Sequence, residues 1–351
     1  MLDPDITGPM HYTDEGKVKP FAVGDLDPSK GFVHVFDDTS LGIVMGELDT
    51  TADLVDYLTK KEAFVRGAQF GGAAGEEELL AFYLRHLNDR DENDFVVAPG
   101  YTRVVLLEGL WREFVTGPLR IARVEADEVS YLWDRLIEKF AHHALAGTSY
   151  GPSASAPLAE REQAIRLMAA EGRTARRVLG RSLYEFLSAS RPDQRSTRVM
   201  LPVRPGSPHY VFLALPQLYS ISDSDYRTAR MGLLEALCLV VKLVRPDATD
   251  IVGLATEPGL GIQRSEDVMY YDARSWCEEH RQRAEQLRRD LGLLTQCGPM
   301  FRSKEYQFPA RVQPGLASRR TSEKRGQSLR NSECPCGSGK KWKRCCRRVG
   351  G

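Results

Sequence analysis

Four of the seven cysteines in this chain lie within thirteen residues, at Cys334, Cys336, Cys345 and Cys346. Their spacing is C-x-C-x8-C-C, which makes two close pairs of thiols separated by eight residues. Four thiolates can surround one tetrahedral zinc ion, and a site closed by four protein ligands leaves no open position for a substrate. The spacing therefore predicts a structural zinc site rather than a catalytic one.

Basic residues crowd the same segment. They are Lys340, Lys341, Lys343, Arg344, Arg347 and Arg348. A zinc ion with four thiolates is formally anionic, and nearby cations stabilise the thiolates electrostatically. Trp342 is the only large apolar side chain near the ligands, so most of the folding free energy of so small a module must come from metal binding. We expect the segment to be disordered without zinc.

The run CPCGSGKKWKRCC resembles the SEC-C motif, which is known from the zinc-binding C-terminus of the preprotein translocase ATPase SecA. The resemblance covers roughly residues 331–348. It implies that the four clustered cysteines are the zinc ligands, with Cys346 where a common variant has histidine. It also implies that the basic face around them meets the ribosome or the chaperone SecB, which is an acidic protein.

The motor of SecA has no counterpart here. A phosphate-binding P-loop requires G-x-x-x-x-G-K-[ST], whereas Cys334 stands at the early glycine position before Gly339-Lys340, and Lys341 replaces the hydroxyl residue. The sequence therefore predicts no ATPase. The remainder of the chain resembles at most uncharacterised bacterial proteins that carry a SEC-C motif, and the resemblance implies no activity for it.

Charge divides the chain into two parts. Residues 302–351 carry a net charge of +11 and residues 1–301 a net charge of −11, so the overall net charge of zero conceals an acidic body and a basic arm. We predict a flexible arm over 1–30, a globular body over 31–301 with a candidate break near 147–158, a disordered basic linker over 302–330, and the SEC-C segment over 331–348. A solubilising tail is the simpler alternative for the basic residues.

Hydrophobic periodicity predicts an α+β fold, with a helix-rich N-terminal half and a small mixed sheet with helices in the second half. Helices are expected over 52–65 with Thr50 or Thr51 as cap, and over 76–87, 104–114, 129–145, 160–188, 226–244 and 273–294. Strands are expected over 31–37, 197–203, 210–215 and 250–255, the second and third forming a hairpin.

Other chemically capable residues have simpler explanations. His142 and His143 suit the C-terminal end of a helix, where positive charge is favourable. Cys277 and His280 lie one turn apart and could share a metal, but no second pair of ligands is visible. Cys238 is expected to be a small buried residue of the core. The acids at 76–78 could hold a divalent ion, although a charged helix start explains them equally well.

Two functions stay open. The first is a zinc-binding adaptor that the basic segment recruits to RNA or to an acidic protein, with Trp342 stacking on a base or forming the small core of the motif. The second is a metal-dependent nuclease or other hydrolase in the body, for which Asp37, Asp38, Glu47 and Asp49 are the nearest approximation to a metal site. A third, simpler role for the motif is protection of the C-terminus.

A cytoplasmic location is expected. The N-terminal residues have neither a basic stretch nor an apolar stretch of the kind found in signal peptides. The longest apolar runs are too short to cross a bilayer.

Overall fold

The computed structural model describes residues 11–12, 24–27, 31–67, 69–90, 92–98, 100–104, 106–148, 150, 158–217, 221–260 and 264–295. These residues divide into two compact units, one ending at Asp127 and the other beginning at Glu128. Most of the expected break at 147–158 and of the arm at 1–30 lies outside the described residues, as do the linker at 302–330 and the motif at 331–348. Those boundaries stay predictions.

The first unit combines short strand pairs with five helices among its described residues. Strands β1 (His11–Tyr12) and β4 (Gly72–Ala73) pair antiparallel, as do β2 (Gly24–Asp27) and β3 (Gly31–Val33). The helices are α1 (Asp38–Glu47), α2 (Thr51–Arg66), α3 (Glu76–Arg85), α4 (Leu110–Val115) and α5 (Pro118–Asp127).

Local signals explain where the helices of this unit begin. Asp37 caps α1 by accepting the backbone N–H of Ser40 at 2.6 Å. The strand predicted over 31–37 ends earlier, at Val33. Thr50 caps α2 by accepting the N–H of Asp53 at 3.1 Å, as the sequence predicts. The segment 104–114 is helical only from Leu110, because residues before it make isolated bridges to 70 and 73 instead.

Aromatic residues of α2 and α3 form the core of the first unit. The rings of Phe64 and Phe95 are stacked with centroids 4.8 Å apart, and Phe82 stacks on the same Phe64 ring at 5.7 Å. Leu79 and Leu80 are fully buried beside them. Burial of these large side chains supplies the main stabilising free energy of the unit.

The second unit contains a four-stranded mixed sheet with helices on both faces. Its elements are α6 (Tyr131–Leu145), α7 (Leu158–Ala169), α8 (Arg173–Ala189), β5 (Ser196–Met200), β6 (His209–Ala214), α9 (Asp223–Val244), β7 (Asp250–Thr256), β8 (Glu266–Asp272) and α10 (Glu278–Leu291). The strand order is β5-β6-β7-β8. The β6–β7 pair is parallel with α9 as its crossover, and the other two pairs are antiparallel.

Successive side chains of β6 point to opposite faces of the sheet, so this strand contributes to a hydrophobic core on each face. Tyr210 and Phe212 pack with α6, α7 and α8, whereas Val211 and Leu213 pack with α9. The close approach of α9 depends on a glycine in β7, because a Cβ atom at Gly253 would lie 2.9 Å from Leu234 Cγ. The predicted α+β fold, helix-rich with a small mixed sheet, is confirmed.

The sequence predictions for this unit need three corrections. The single helix expected over 160–188 is two helices, α7 and α8, interrupted before Gly172, which is the N-cap of α8. Strand β8 was not predicted. The last helix begins at Glu278 rather than 273, because the backbone N–H of Ala273 donates to Thr249 in an extension of the β7–β8 pairing.

Candidate functional site

The acidic residues considered for a hydrolase do not assemble into a metal site. Among the described residues, no group of three or more His, Cys, Asp or Glu side chains is placed to hold one metal ion. Asp37 caps α1, and Glu47 accepts a hydrogen bond from Arg120 Nε at 2.7 Å. Asp38 is an exposed first-turn residue of α1. Asp37 therefore stabilises the beginning of a helix, and Glu47 forms an ion pair within the first unit.

The acids at the start of α3 also have internal roles. Glu76 is fully buried, and it accepts hydrogen bonds from Lys61 Nζ and from the Tyr57 hydroxyl, each at 2.5 Å. Burial lowers the pKa of Lys61, which Glu76 partly offsets, and burial with Glu76 raises the pKa of Tyr57. All three side chains are shielded from solvent, so none can contact a substrate in this conformation.

Glu78 points to a different neighbour, the beginning of α4. Its Oε2 atom accepts the backbone N–H groups of Leu110 at 2.6 Å and Trp111 at 3.1 Å. Unpaired N–H groups at a helix N-terminus favour an anionic acceptor. The acid cluster of the sequence is thus split between an internal ion pair and a helix cap.

A second buried cluster of charged residues lies at the carboxyl ends of β6 and β7. The sequence did not indicate these residues as candidates. Arg227 and Arg230 of α9 both bind Asp267 of β8, with 2.6 Å between Arg227 Nη2 and Asp267 Oδ1. Arg230 Nη1 also donates to Glu257 at 3.0 Å, and its Nη2 donates to Ser265 Oγ at 2.9 Å.

The arginine cluster stabilises the fold, because its charged groups are buried and bind one another. The Arg230 side chain is completely buried. Burial lowers its pKa, but Asp267 and its other partners outweigh that effect, so the net pKa is raised. Ligands often bind at the carboxyl ends of parallel strands, but here the carboxylates already bind protein guanidinium groups. In the sequence, only the spacing of Arg227 and Arg230, three residues apart on α9, points to this cluster. Their acidic partner, Asp267, lies far along the chain.

A cleft next to this cluster is mainly apolar. It lies between α6, α8 and the sheet, where leucine and phenylalanine side chains such as Leu136, Phe140 and Phe186 line it. Thr256, together with the ends of Arg264 and Glu266, supplies its polar edge. A hydrolase would need converging acids and bases in such a place. Among the described residues that line the cleft, Glu266 is the only acid, and it already pairs with Lys139 and Arg264.

The paired histidines lie in the last turn of α6, as predicted. Burial, followed by the positive charges of Lys139 and Arg227, lowers the pKa of His143. The neutral form of His143 is therefore favoured at neutral pH, which weakens the interpretation of His143 as a positive charge at a helix end. His142 is exposed.

The scattered cysteines differ in accessibility. Cys238 is fully buried in α9, and burial raises the pKa of its thiol, in keeping with a core role. Cys277 is exposed at the N-cap of α10, where its Sγ atom lies 3.4 Å from His280 Nδ1. The structure thus brings together the pair that the sequence suggested.

The clustered cysteines and their basic neighbours lie outside the described residues, so their chemistry is judged from the donor set. Residues 330–348 match the SEC-C motif. No curated protein and no solved structure matches the chain. The match covers the motif alone, so it assigns no activity to the two units. No helix among the described residues combines the length and the apolar character needed to cross a bilayer.

The SEC-C segment offers a donor set that fits zinc. Four thiolates match the preference of Zn²⁺ for sulfur, and four ligands complete a tetrahedron. Seven lysine and arginine residues within the matched range offset the charge that four thiolates bring to the ion. The motif is of a known zinc-binding type.

Proposed function

We propose that the SEC-C segment binds one Zn²⁺ through Cys334, Cys336, Cys345 and Cys346. The match of residues 330–348 to the motif is the observation that carries this proposal. A closed set of four sulfur ligands gives the ion a structural role. Zinc then holds the backbone in one conformation and fixes the positions of the basic side chains between and beside the ligands.

The folded segment recruits the chain to an anionic partner in the cytoplasm. The partner is RNA, such as that of the ribosome, or an acidic protein of the SecB type. Support comes from charge: residues 302–351 carry +11, and the rest of the chain carries −11. Such an arm attracts a polyanion over long range, while the acidic body is repelled by it, so contact is directed to the arm.

Metal content tests the first step of this proposal. Purified full-length protein should hold about one zinc ion per chain by elemental analysis, as four sulfur ligands require. Cys345→Ser with Cys346→Ser should lose it. The matched control, Cys277→Ser with Cys297→Ser, also removes two thiols but should keep the metal. Zinc retained by the first variant, or absent from the wild type under reducing conditions, would refute the assignment.

Salt-dependent binding tests the second step. Alanine at Lys340, Lys341, Lys343 and Arg344 should weaken binding to single-stranded RNA and reduce the slope of log affinity against log salt by about 3. The matched control replaces Arg319, Arg320, Lys324 and Arg325, which removes the same charge outside the motif. Equal losses from both sets would show that only bulk charge matters.

Pull-down with the full chain distinguishes the partner classes. Nuclease treatment that releases the captured material identifies RNA, and captured material that survives nuclease identifies an acidic protein. A variant lacking 302–351 should capture neither. Unchanged capture by that variant would contradict recruitment through the basic arm.

A further inference from the structure

Two reactive side chains meet at the beginning of α10. Cys277 occupies the N-cap position and His280 lies in the first turn of the helix. Cys277 Sγ lies 3.4 Å from His280 Nδ1, and the thiol is exposed to solvent. A nucleophile and a base are therefore in contact where a small reagent can reach them.

A second contact of the imidazole sets the direction of proton transfer. The backbone N–H of Cys277 donates to His280 Nδ1 over 3.4 Å. Because a backbone N–H can only donate, Nδ1 presents its lone pair to Cys277, and we assign the proton of the neutral ring to Nε2. The thiol lies 3.4 Å from the same nitrogen, so it shares this acceptor with the backbone N–H, and Nδ1 is the atom that its proton can reach.

The imidazole is also held in place. The Trp276 ring packs against it with the ring centroids 5.8 Å apart. A nucleophile next to a base that a third group orients is the recurring arrangement of activated nucleophiles in proteins. The three residues 276, 277 and 280 reproduce that arrangement on one helix turn.

The acidic side chains next to the thiol are paired or screened. Glu278 would oppose it, but Arg281 binds both carboxylate oxygens of Glu278, with Nε at 2.8 Å and Nη2 at 2.5 Å. Glu279, the other acid of the turn, is exposed, so solvent and salt screen its charge. The N-terminal end of a helix favours negative charge.

We propose that Cys277 is a site of reversible thiol modification, which reacts with small disulfides of the glutathione type. The thiol proton moves to His280 Nδ1 as Cys277 Sγ attacks one sulfur of the disulfide. A new S–S bond joins Cys277 to that half, and the old S–S bond breaks. The other half leaves as a thiolate and takes up the proton. Cys277 is oxidised and the leaving half is reduced, so the reaction needs no further oxidant.

Site-resolved mass spectrometry tests this proposal on the full-length, zinc-loaded protein. Oxidised glutathione at pH 7 is the probe. Tryptic cleavage gives peptide 275–281 with Cys277 as its one cysteine and peptide 231–242 with buried Cys238 as an internal control. An unassisted thiol is only about 3% ionised at pH 7, so a base can accelerate reaction by at most about thirtyfold. We expect Cys277 to react about tenfold faster in the native protein than in urea.

Variants of the same turn identify the base. His280→Asn should slow modification of Cys277 about tenfold, while Glu279→Gln keeps the thiol–imidazole contact and should not slow it. Circular dichroism checks that both variants fold. Equal rates in the wild type and in His280→Asn, or a native rate no faster than in urea, would overturn the proposal.

A chelator distinguishes this site from a metal site. The distance of 3.4 Å between Sγ and Nδ1 is also compatible with two neighbouring ligands of one zinc ion. In the Cys345→Ser, Cys346→Ser variant, which lacks the proposed zinc site of the SEC-C segment, EDTA should leave the rate of Cys277 modification unchanged. A rate that rises with EDTA would assign the pair to a bound metal and would overturn the proposal.

Discussion

Replacing Glu76 with glutamine should destabilise the first unit strongly, because it leaves the Lys61 ammonium buried without its counter-charge. Both side chains are fully buried, and Nζ lies 2.5 Å from Oε2. Breaking a buried pair from one side typically costs about 3–5 kcal/mol. Instead of staying charged, the buried lysine can lose its proton, which costs about 4.6 kcal/mol at pH 7. The loss of stability therefore cannot much exceed this value. We therefore expect the free energy of unfolding to fall by about 3–5 kcal/mol at pH 7.

The pH dependence of this variant follows from proton binding. Burial already lowers the pKa of Lys61 in the folded protein, and loss of the Glu76 charge lowers it further. The unfolded chain then binds more protons than the folded chain at neutral pH, so stability rises with pH until the unfolded lysine also loses its proton, near pH 10.4. Between pH 7 and pH 9 the deficit should therefore shrink, by at most about 1.4 kcal/mol for each pH unit.

Urea denaturation, with hydrogen exchange of peptides from α2 and α3 as the local measure, can test both numbers. Glu77→Gln is the matched control, since it removes the same charge from the neighbouring, partly exposed position, and it should change stability by less than about 0.5 kcal/mol. Adding Lys61→Met to Glu76→Gln should restore much of the loss. Equal effects of Glu76→Gln and Glu77→Gln, or a deficit that does not change with pH, would refute the reasoning.

Three further predictions concern packing, capping and metal. Gly253→Ala should cost about 1–3 kcal/mol in thermal unfolding, because the new Cβ lies 2.9 Å from Leu234 Cγ, whereas Gly232→Ala, with nothing within 4 Å, should cost nothing. Thr50→Ala should lower stability by about 1 kcal/mol in urea denaturation through loss of the cap to Asp53. Acidification should release zinc, since protonated thiols do not bind it; a metal-binding titration in which affinity is independent of pH would contradict thiolate ligation.

Features determined by neighbouring residues in the sequence could be predicted. The helix expected over 52–65 with Thr50 or Thr51 as cap is observed as α2, with Thr50 as its cap. The zinc ligands were selected on the same basis, since all four lie within thirteen residues. The match at 330–348 confirms the SEC-C motif, and the four zinc ligands stay a prediction.

Features determined by distant residues could not be predicted. The break between α7 and α8 holds Glu171, which accepts hydrogen bonds from Ser207 at 3.1 Å and Tyr210 at 3.2 Å. Strand β8 is defined by its pairing with β7. Arg230 on α9 is buried against Asp267, which lies 37 positions away in the sequence. A single sequence contains no pattern that joins such pairs.

The parallel β6–β7 pair has a consequence for fragments of this chain. β6 is buried along its whole length, and its second edge is covered only by β7, which follows a 22-residue helix. Truncation before Asp250 would leave six consecutive largely apolar residues with an open backbone edge, a template for pairing between copies. Premature stop codons in α9 should therefore yield insoluble products, whereas a stop after residue 301 should leave a well-behaved one.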